Sequence, residues 1–141
     1  MPCPILFNGC ILAIDSSIVE FLITALAIFD LVKLGNQLGL LVVVVTNQSG
    51  IARGYYTENE FWDFSEWMLG IFQKNNAKID SIYYSPYHPT KGIGKYKIDE
   101  ETRKPKPGMI LKAAKELQIN LKRSILIGDK ITDLHAANSA G

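Results

Sequence analysis

Cysteine is nearly absent from this chain of 141 residues: only Cys3 and Cys10 occur. Their spacing matches neither a CxxC redox pair nor a zinc knuckle. Two reduced thiols are therefore expected, as in a cytosolic protein. An excess of either charge is also lacking, since fifteen Lys and Arg face fourteen Asp and Glu for a net charge of +1. That balance excludes a broad electrostatic case for nucleic acid or an anionic membrane, so any basic site has to be local. No uninterrupted apolar run is long enough to span a bilayer. The richest, residues 18–29, is broken by Glu20 and Thr24 and followed by Asp30 and Lys33. The N-terminus has no basic segment of a signal peptide. The expected location is the cytoplasm, with no nucleic-acid or membrane partner.

What is present is a 48% hydrophobic composition, enough for one domain with a core and too short a chain for two. Four short apolar runs read as strands, at Pro4–Phe7, Leu40–Val45, Ile79–Tyr84 and Ser124–Ile127, with helical spacing between them. The alternation predicts an α/β fold, a Rossmann-like three-layer sandwich around a parallel sheet. Gly35 and Gly39 are suitable helix stops. Thr57 with Glu60 forms a capping box for a helix that should bury Phe61, Phe64, Met68, Ile71 and Phe72. Residues 85–107 read as a long loop. Pro107 then opens a helix with Ile110, Leu111, Ala114 and Leu117 on its buried side. One helix follows the fourth strand where a further strand is usual, so the expectation is a single domain over 1–141, truncated at its C-terminus and without its last strand.

The polar residues gather at strand ends, where open α/β sheets bind ligands. In "VVVVTNQSGIARG" four valines stop on Thr46 and Asn47, a hydroxyl and an amide. Gln48, Ser49 and Gly50 add backbone N–H groups suited to a phosphoryl group, or to turn chemistry alone. In "ILIGDKITD" a glycine lets the backbone come close before Asp129 and Asp133, whose oxygens suit a hard cation such as Mg²⁺ or a helix cap. Lys104, in a loop stiffened by Pro105 and Pro107, is a fixed point charge for phosphate.

The strings "VVVTNQSGIARG", "RKPKPGM" and "ILIGDKITD", in that chain order, resemble the second, third and fourth motifs of the haloacid dehalogenase (HAD) superfamily. From about Phe29 to Gly141 the chain is similar to the branch containing the D-glycero-D-manno-heptose 1,7-bisphosphate phosphatases and the histidinol-phosphate phosphatases. The resemblance implies a Mg²⁺-dependent hydrolase of a small phosphorylated sugar, of the kind that serves lipopolysaccharide biosynthesis. It implies that Thr46 and Asn47 hold the phosphoryl group, with Gln48 and Ser49 in the same turn. Lys104 would neutralise that group, and Asp129 would bind the metal, supported by Lys130 and Asp133. Arg53 and Arg103 would face the substrate, where either suits the second phosphate of a bisphosphate.

The first motif of the family, an apolar strand followed by Asp-x-Asp-Gly, has no counterpart. The nearest string is "LFNG", which puts Leu6 at the nucleophile position and Asn8 at the acid/base position. Leucine cannot attack phosphorus, and Asn8 cannot shuttle a proton. Asp15 is the one alternative nucleophile. The branch's zinc ligands are replaced by Ser85, Tyr87, Glu100 and Thr102; His88 alone does not make a site, so no zinc is expected. Tyr83, Tyr84, Tyr87 and the prolines are expected to order the loop instead. Three readings follow: a heptose bisphosphate 7-phosphatase by descent with very weak turnover, a pseudoenzyme that binds a sugar phosphate, and a histidinol-phosphate phosphatase. A polynucleotide phosphatase would need a basic groove for the strand, which the charge balance withholds outside residues 91–106.

Overall fold

A computed structural model of the protein describes residues 10–12 and 21–141, with side chains from residue 28 onward. Among the described residues, four strands form one sheet: β1 (Cys10–Leu12), β2 (Val42–Asn47), β3 (Ser81–Ser85) and β4 (Leu126–Ile127), in the order β3-β2-β1-β4. All three pairings are parallel, with Leu12 beside both Val44 and Ile127, and Asn47 beside Ser85. The predicted parallel α/β architecture is therefore what the described residues adopt. The predicted strand Pro4–Phe7 lies outside them, and the strand that occupies the middle of the sheet is Cys10–Leu12. Observed β2 and β3 each begin and end two residues or fewer from expectation.

Among the described residues, five α-helices connect and cover the strands: α1 (Phe21–Gln37), α2 (Ser49–Ala52), α3 (Glu58–Lys74), α4 (Gly108–Glu116) and α5 (Ile131–Ala140). The four valines of β2 divide the core between two faces because strand side chains alternate. Val43 and Val45 pack with Met109, Ile110 and Ala113 of α4 and Ala136 of α5. Val42 packs on the opposite face with Val32 of α1 and Phe72 of α3. Helices on both faces of a parallel sheet make the three-layer sandwich expected from the alternation of elements.

Helix ends follow the local chemistry. Gly39 takes the left-handed conformation (φ 71°) that stops α1, whereas Gly35 is buried inside that helix. At α3 the predicted capping box forms: Glu60 N donates to Thr57 Oγ1 at 3.2 Å, and Thr57 N donates to Glu60 Oε2 at 2.7 Å. Thr57→Ala removes the acceptor and is expected to lower stability by about 1 kcal/mol, read as a shift in denaturation midpoint at constant slope.

Two buried faces differ from expectation. On α3, Phe61 and Phe72 are buried but Phe64 is 55% exposed, because Ser65 turns inward instead and donates to Phe61 O at 2.8 Å. On α4, Met109 and Ala113 join Ile110 in the core, the expected Ala114 and Leu117 pack partly buried against it, and Leu111 alone of the expected residues faces solvent; the helix starts at Gly108 with Pro107 as its N-cap. The predicted loop 85–107 contains one short 3₁₀ turn, Gly94–Tyr96. Among the described residues no helix is long and apolar enough to cross a membrane.

Candidate functional site

The sheet changes winding direction at β1, since β2 and β4 flank it and the chain leaves them toward opposite sides. Crevices at such reversal points, beyond the carboxyl ends of the strands, are the usual ligand sites of open α/β sheets. Thr46 and Asn47 end β2, and Asp129 follows β4, so both predicted motifs border the same crevice.

Thr46 is buried, and its Oγ1 accepts a hydrogen bond from Gln48 Nε2 at 2.9 Å. Gln48 is itself fixed, since its Oε1 accepts from Tyr56 Oη at 2.6 Å and its backbone N–H donates to Ser85 O at 2.8 Å. With the Thr46 oxygen already accepting, its hydroxyl proton is left to donate to a ligand oxygen. Asn47 behaves differently from expectation. Its amide exchanges two bonds with the backbone of Lys104, Nδ2 to Lys104 O and Lys104 N to Oδ1, both at 3.0 Å. The side chain thus clamps the Lys104 loop to the end of β2.

Lys104 is 2% exposed. Its Nζ donates to Val45 O at 3.0 Å and lies 2.5 Å from Asp133 Oδ1 in an ion pair whose angle is not that of an aligned hydrogen bond. Asp133, 1% exposed, accepts from Lys130 N at 3.1 Å through its other oxygen. Gly128 permits this arrangement: a Cβ there would sit 2.5 Å from Asp133 Oδ2. The close approach that the glycine allows is therefore that of Asp133. Asp129 is exposed and has no partner among the described residues.

Arg103 reaches Ser49 through its side chain, whereas Arg53 meets it only through the backbone at the end of α2. Arg103 Nη1 donates to Ser49 Oγ at 2.8 Å and to Tyr87 O at 2.9 Å, while Arg53 N donates to Ser49 O at 3.1 Å. Arg53 Nε is buried without a hydrogen-bond partner among the described residues. His88 sits in the field of both: desolvation first, then the charges of Arg103, Arg53 and Lys91, push its pKa below the ordinary histidine value. Its Nδ1 accepts from Lys91 N at 3.1 Å and Thr90 N at 3.3 Å, a role for the neutral ring.

The fold is shared with a crystal structure described as a putative HAD-like phosphatase from Mesorhizobium loti, which superposes with a TM-score of 0.85 at 30% identity over 95% of this chain and 69% of that one. The chain belongs to the HAD-like family. A family profile described as HAD-hydrolase-like matches residues 101–141, the stretch that carries Lys104, Asp129 and Asp133. The D,D-heptose 1,7-bisphosphate phosphatase of B. bronchiseptica, solved with magnesium and phosphate, shares the fold with a TM-score of 0.75 at 24% identity, over 95% of this chain and 76% of that one. Among curated relatives, the D-glycero-alpha-D-manno-heptose-1,7-bisphosphate 7-phosphatase of Burkholderia mallei is 48% identical over 114 residues, 81% of this chain and 60% of its own length. The D-glycero-beta-D-manno-heptose-1,7-bisphosphate 7-phosphatase of Escherichia coli is 40% identical over 113 residues, 80% of this chain and 59% of its own length. The chain thus spans about three-fifths of the length of these relatives.

For a HAD-like protein, the described residues bring Thr46, Lys104, Asp133 and Asp129 to one crevice and Ser49, Arg53 and Arg103 to its rim. Leu6, Asn8 and Asp15 lie outside the described residues; in the sequence Leu6 and Asn8 precede β1, and Asp15 follows it by three positions. Asp129 fits a hard cation as a single free carboxylate, but Asp133 is committed to Lys104 and the Lys130 amide. No cluster of three or more His, Cys, Asp or Glu occurs among the described residues. Of the positions compared with zinc ligands, Thr102 Oγ1 donates to Ser85 Oγ at 3.2 Å.

Sequence reasoning missed Glu58. Its carboxylate accepts from Tyr84 Oη at 2.5 Å and Tyr96 Oη at 2.6 Å, with Lys95 Nζ 4.0 Å away. The two tyrosine hydrogen bonds, with a smaller contribution from Lys95, hold its pKa below the ordinary carboxylate value despite opposing desolvation. Tyr84 is pushed up to about 12, chiefly by desolvation and then by Glu58. The available signal was three tyrosines in and before a loop of no apolar periodicity, beside an acid at a helix start.

Proposed function

We propose that the chain binds a bisphosphorylated sugar and descends from D-glycero-D-manno-heptose 1,7-bisphosphate 7-phosphatases. The observation that carries this reading is the pairing of two anion sites at one crevice. The Thr46 hydroxyl and the buried Lys104 ammonium suit the transferring phosphoryl group, and the orphaned Arg53 Nε, whose charge reaches His88 together with that of Arg103, suits a second phosphate. A single phosphate, as in histidinol phosphate, would leave the second site unused.

Asp129 would hold Mg²⁺, together with phosphate oxygens and water, and the ion would supply charge stabilisation to the phosphoryl group. The chain's own residues donate a hydroxyl proton from Thr46, fix the ammonium of Lys104 through Val45 O and Asp133, and hold the Lys104 loop through Asn47. These contacts stabilise charge without forming a bond to phosphorus. Without an Asp-x-Asp-Gly string the covalent route has no family nucleophile at Leu6 and no family acid at Asn8, which supports binding with very weak turnover. The same absence supports the second reading, a pseudoenzyme that binds its sugar phosphate and acts through a partner.

The test is phosphate release from D-glycero-D-manno-heptose 1,7-bisphosphate with Mg²⁺ in the unchanged chain, in Asp129→Ala, in Asp15→Asn and in the double variant Leu6→Asp/Asn8→Asp. Saturable binding with residual turnover that disappears in Asp129→Ala is the expected result. Turnover at a level typical of enzymes, on the order of 1–10³ s⁻¹, that is lost in Asp15→Asn would place the nucleophile at Asp15 and overturn the impaired-site reading.

A further inference from the structure

The carboxylate of Glu58 takes no part in the phosphate contacts above, yet it joins three elements. It opens α3 and accepts from Tyr84 on β3 through one oxygen and from Tyr96 on the 3₁₀ turn through the other. An ionised carboxylate is an acceptor only, so two hydroxyl donors satisfy it as a bridge. The segment it grips is folded tightly on itself. His88 N donates to Tyr96 O at 3.0 Å and Gly92 N to His88 O at 3.2 Å, and a Cβ at Gly92 would lie 2.5 Å from Tyr96 O. Residues 88–96 therefore form one internally bonded unit. One further backbone bond ties this unit to α2, from Ile93 N to Ala52 O at 2.8 Å. Ala52 precedes Arg53, and His88 lies in the field of Arg53 and Arg103. Whatever holds residues 88–96 in place consequently holds one wall of the rim.

We propose that Glu58 is the positioning residue of this loop, clamping it through Tyr84 and Tyr96 against α2 and thereby setting affinity for the distal phosphate of a bisphosphorylated sugar. The proposal rests on the two-anion reading of the site above. It assigns Glu58 no contact with substrate and no effect on the inner phosphoryl position at Thr46 and Lys104.

The test uses the full chain as wild type, Glu58→Ala, Glu58→Gln and Tyr96→Phe, with Thr57→Ala as a control that weakens the α3 cap without touching either tyrosine. Amide hydrogen exchange is read at His88 and Ile93, with Val43 and Val45 of β2 as internal reference. Calorimetry reads binding of fructose 1,6-bisphosphate and of inorganic phosphate. In Glu58→Ala, exchange at His88 and Ile93 should accelerate about tenfold or more while β2 is unchanged. Affinity for the bisphosphate should fall about tenfold and that for inorganic phosphate should stay within twofold. Tyr96→Phe and Glu58→Gln should fall between this variant and wild type, and Thr57→Ala should leave loop exchange unaltered. Unchanged exchange in Glu58→Ala, or equal weakening of both ligands, overturns the proposal. Wild-type protein that binds neither ligand instead overturns the two-anion reading, and loop exchange alone then decides whether Glu58 clamps the segment.

Discussion

Asp133→Ala is expected to destabilise the protein by about 3–5 kcal/mol, the cost of leaving a buried charge without its counter-ion. Lys104 is 2% exposed and cannot turn to water, because Asn47 fixes its backbone on both sides and Val45 O holds its ammonium. The substitution also takes the acceptor from Lys130 N at the start of α5. For a domain of this size the loss corresponds to a fall in Tm of roughly 10–20 °C. Urea denaturation followed by circular dichroism measures it, and a loss below about 1 kcal/mol would mean that Lys104 finds another partner. The double variant Lys104→Met/Asp133→Leu should recover much of the stability while losing phosphate binding, because an apolar pair removes both desolvation penalties together. Stability and anion binding are thereby separated at a single contact.

Gly128→Ala should be the most damaging single-methyl addition at the site. The new Cβ would lie 2.5 Å from Asp133 Oδ2 and 2.6 Å from both its Cβ and Cγ. Such contact forces one partner to move. Asp133 is 1% exposed and held at both oxygens, so the displacement has to be taken up by β4 or by the ion pair itself. Overpacking of this kind costs about 1–3 kcal/mol. It should also weaken inorganic phosphate binding, because moving Asp133 moves Lys104. Calorimetric titration alongside thermal unfolding tests both effects. A variant with wild-type affinity and stability would show that the β4–α5 turn relaxes without disturbing the pair.

Much of this site was legible locally. Four consecutive valines could only be a strand buried on both faces, so the residues that end it had to sit at the sheet's carboxyl edge. The Thr57–Glu60 box was readable because its two partners are three residues apart. The contacts that were not legible are those between distant segments. Asn47 was expected to face phosphate, and nothing near it in the chain announces that its amide would meet the backbone of Lys104. Asp133 was read with the metal because it follows Asp129, whereas its nearest charge comes from the loop before α4. The first strand illustrates the same limit: "CIL" is short and apolar like other segments near the N-terminus, and its strand character shows only in its pairing with Val42–Val44 and Leu126–Ile127. Glu58 was hidden by its own position, since an acid in the first turn of a helix already has a local explanation.

The pairing of Lys104 with Asp133 bears on how a ligand arrives. Seen from solution the two charges cancel, so the innermost cation exerts little pull on an anion still several ångströms away. Capture has to be guided by the exposed Lys91 and the half-buried Arg53 and Arg103 of the rim, whose field reaches outward by roughly 8 Å at physiological ionic strength before counter-ions mask it. Added salt should then slow encounter without loosening the grip of the bound state. The protein divides its positive charge between a distant attraction, sensitive to the medium, and a sheltered contact that is not.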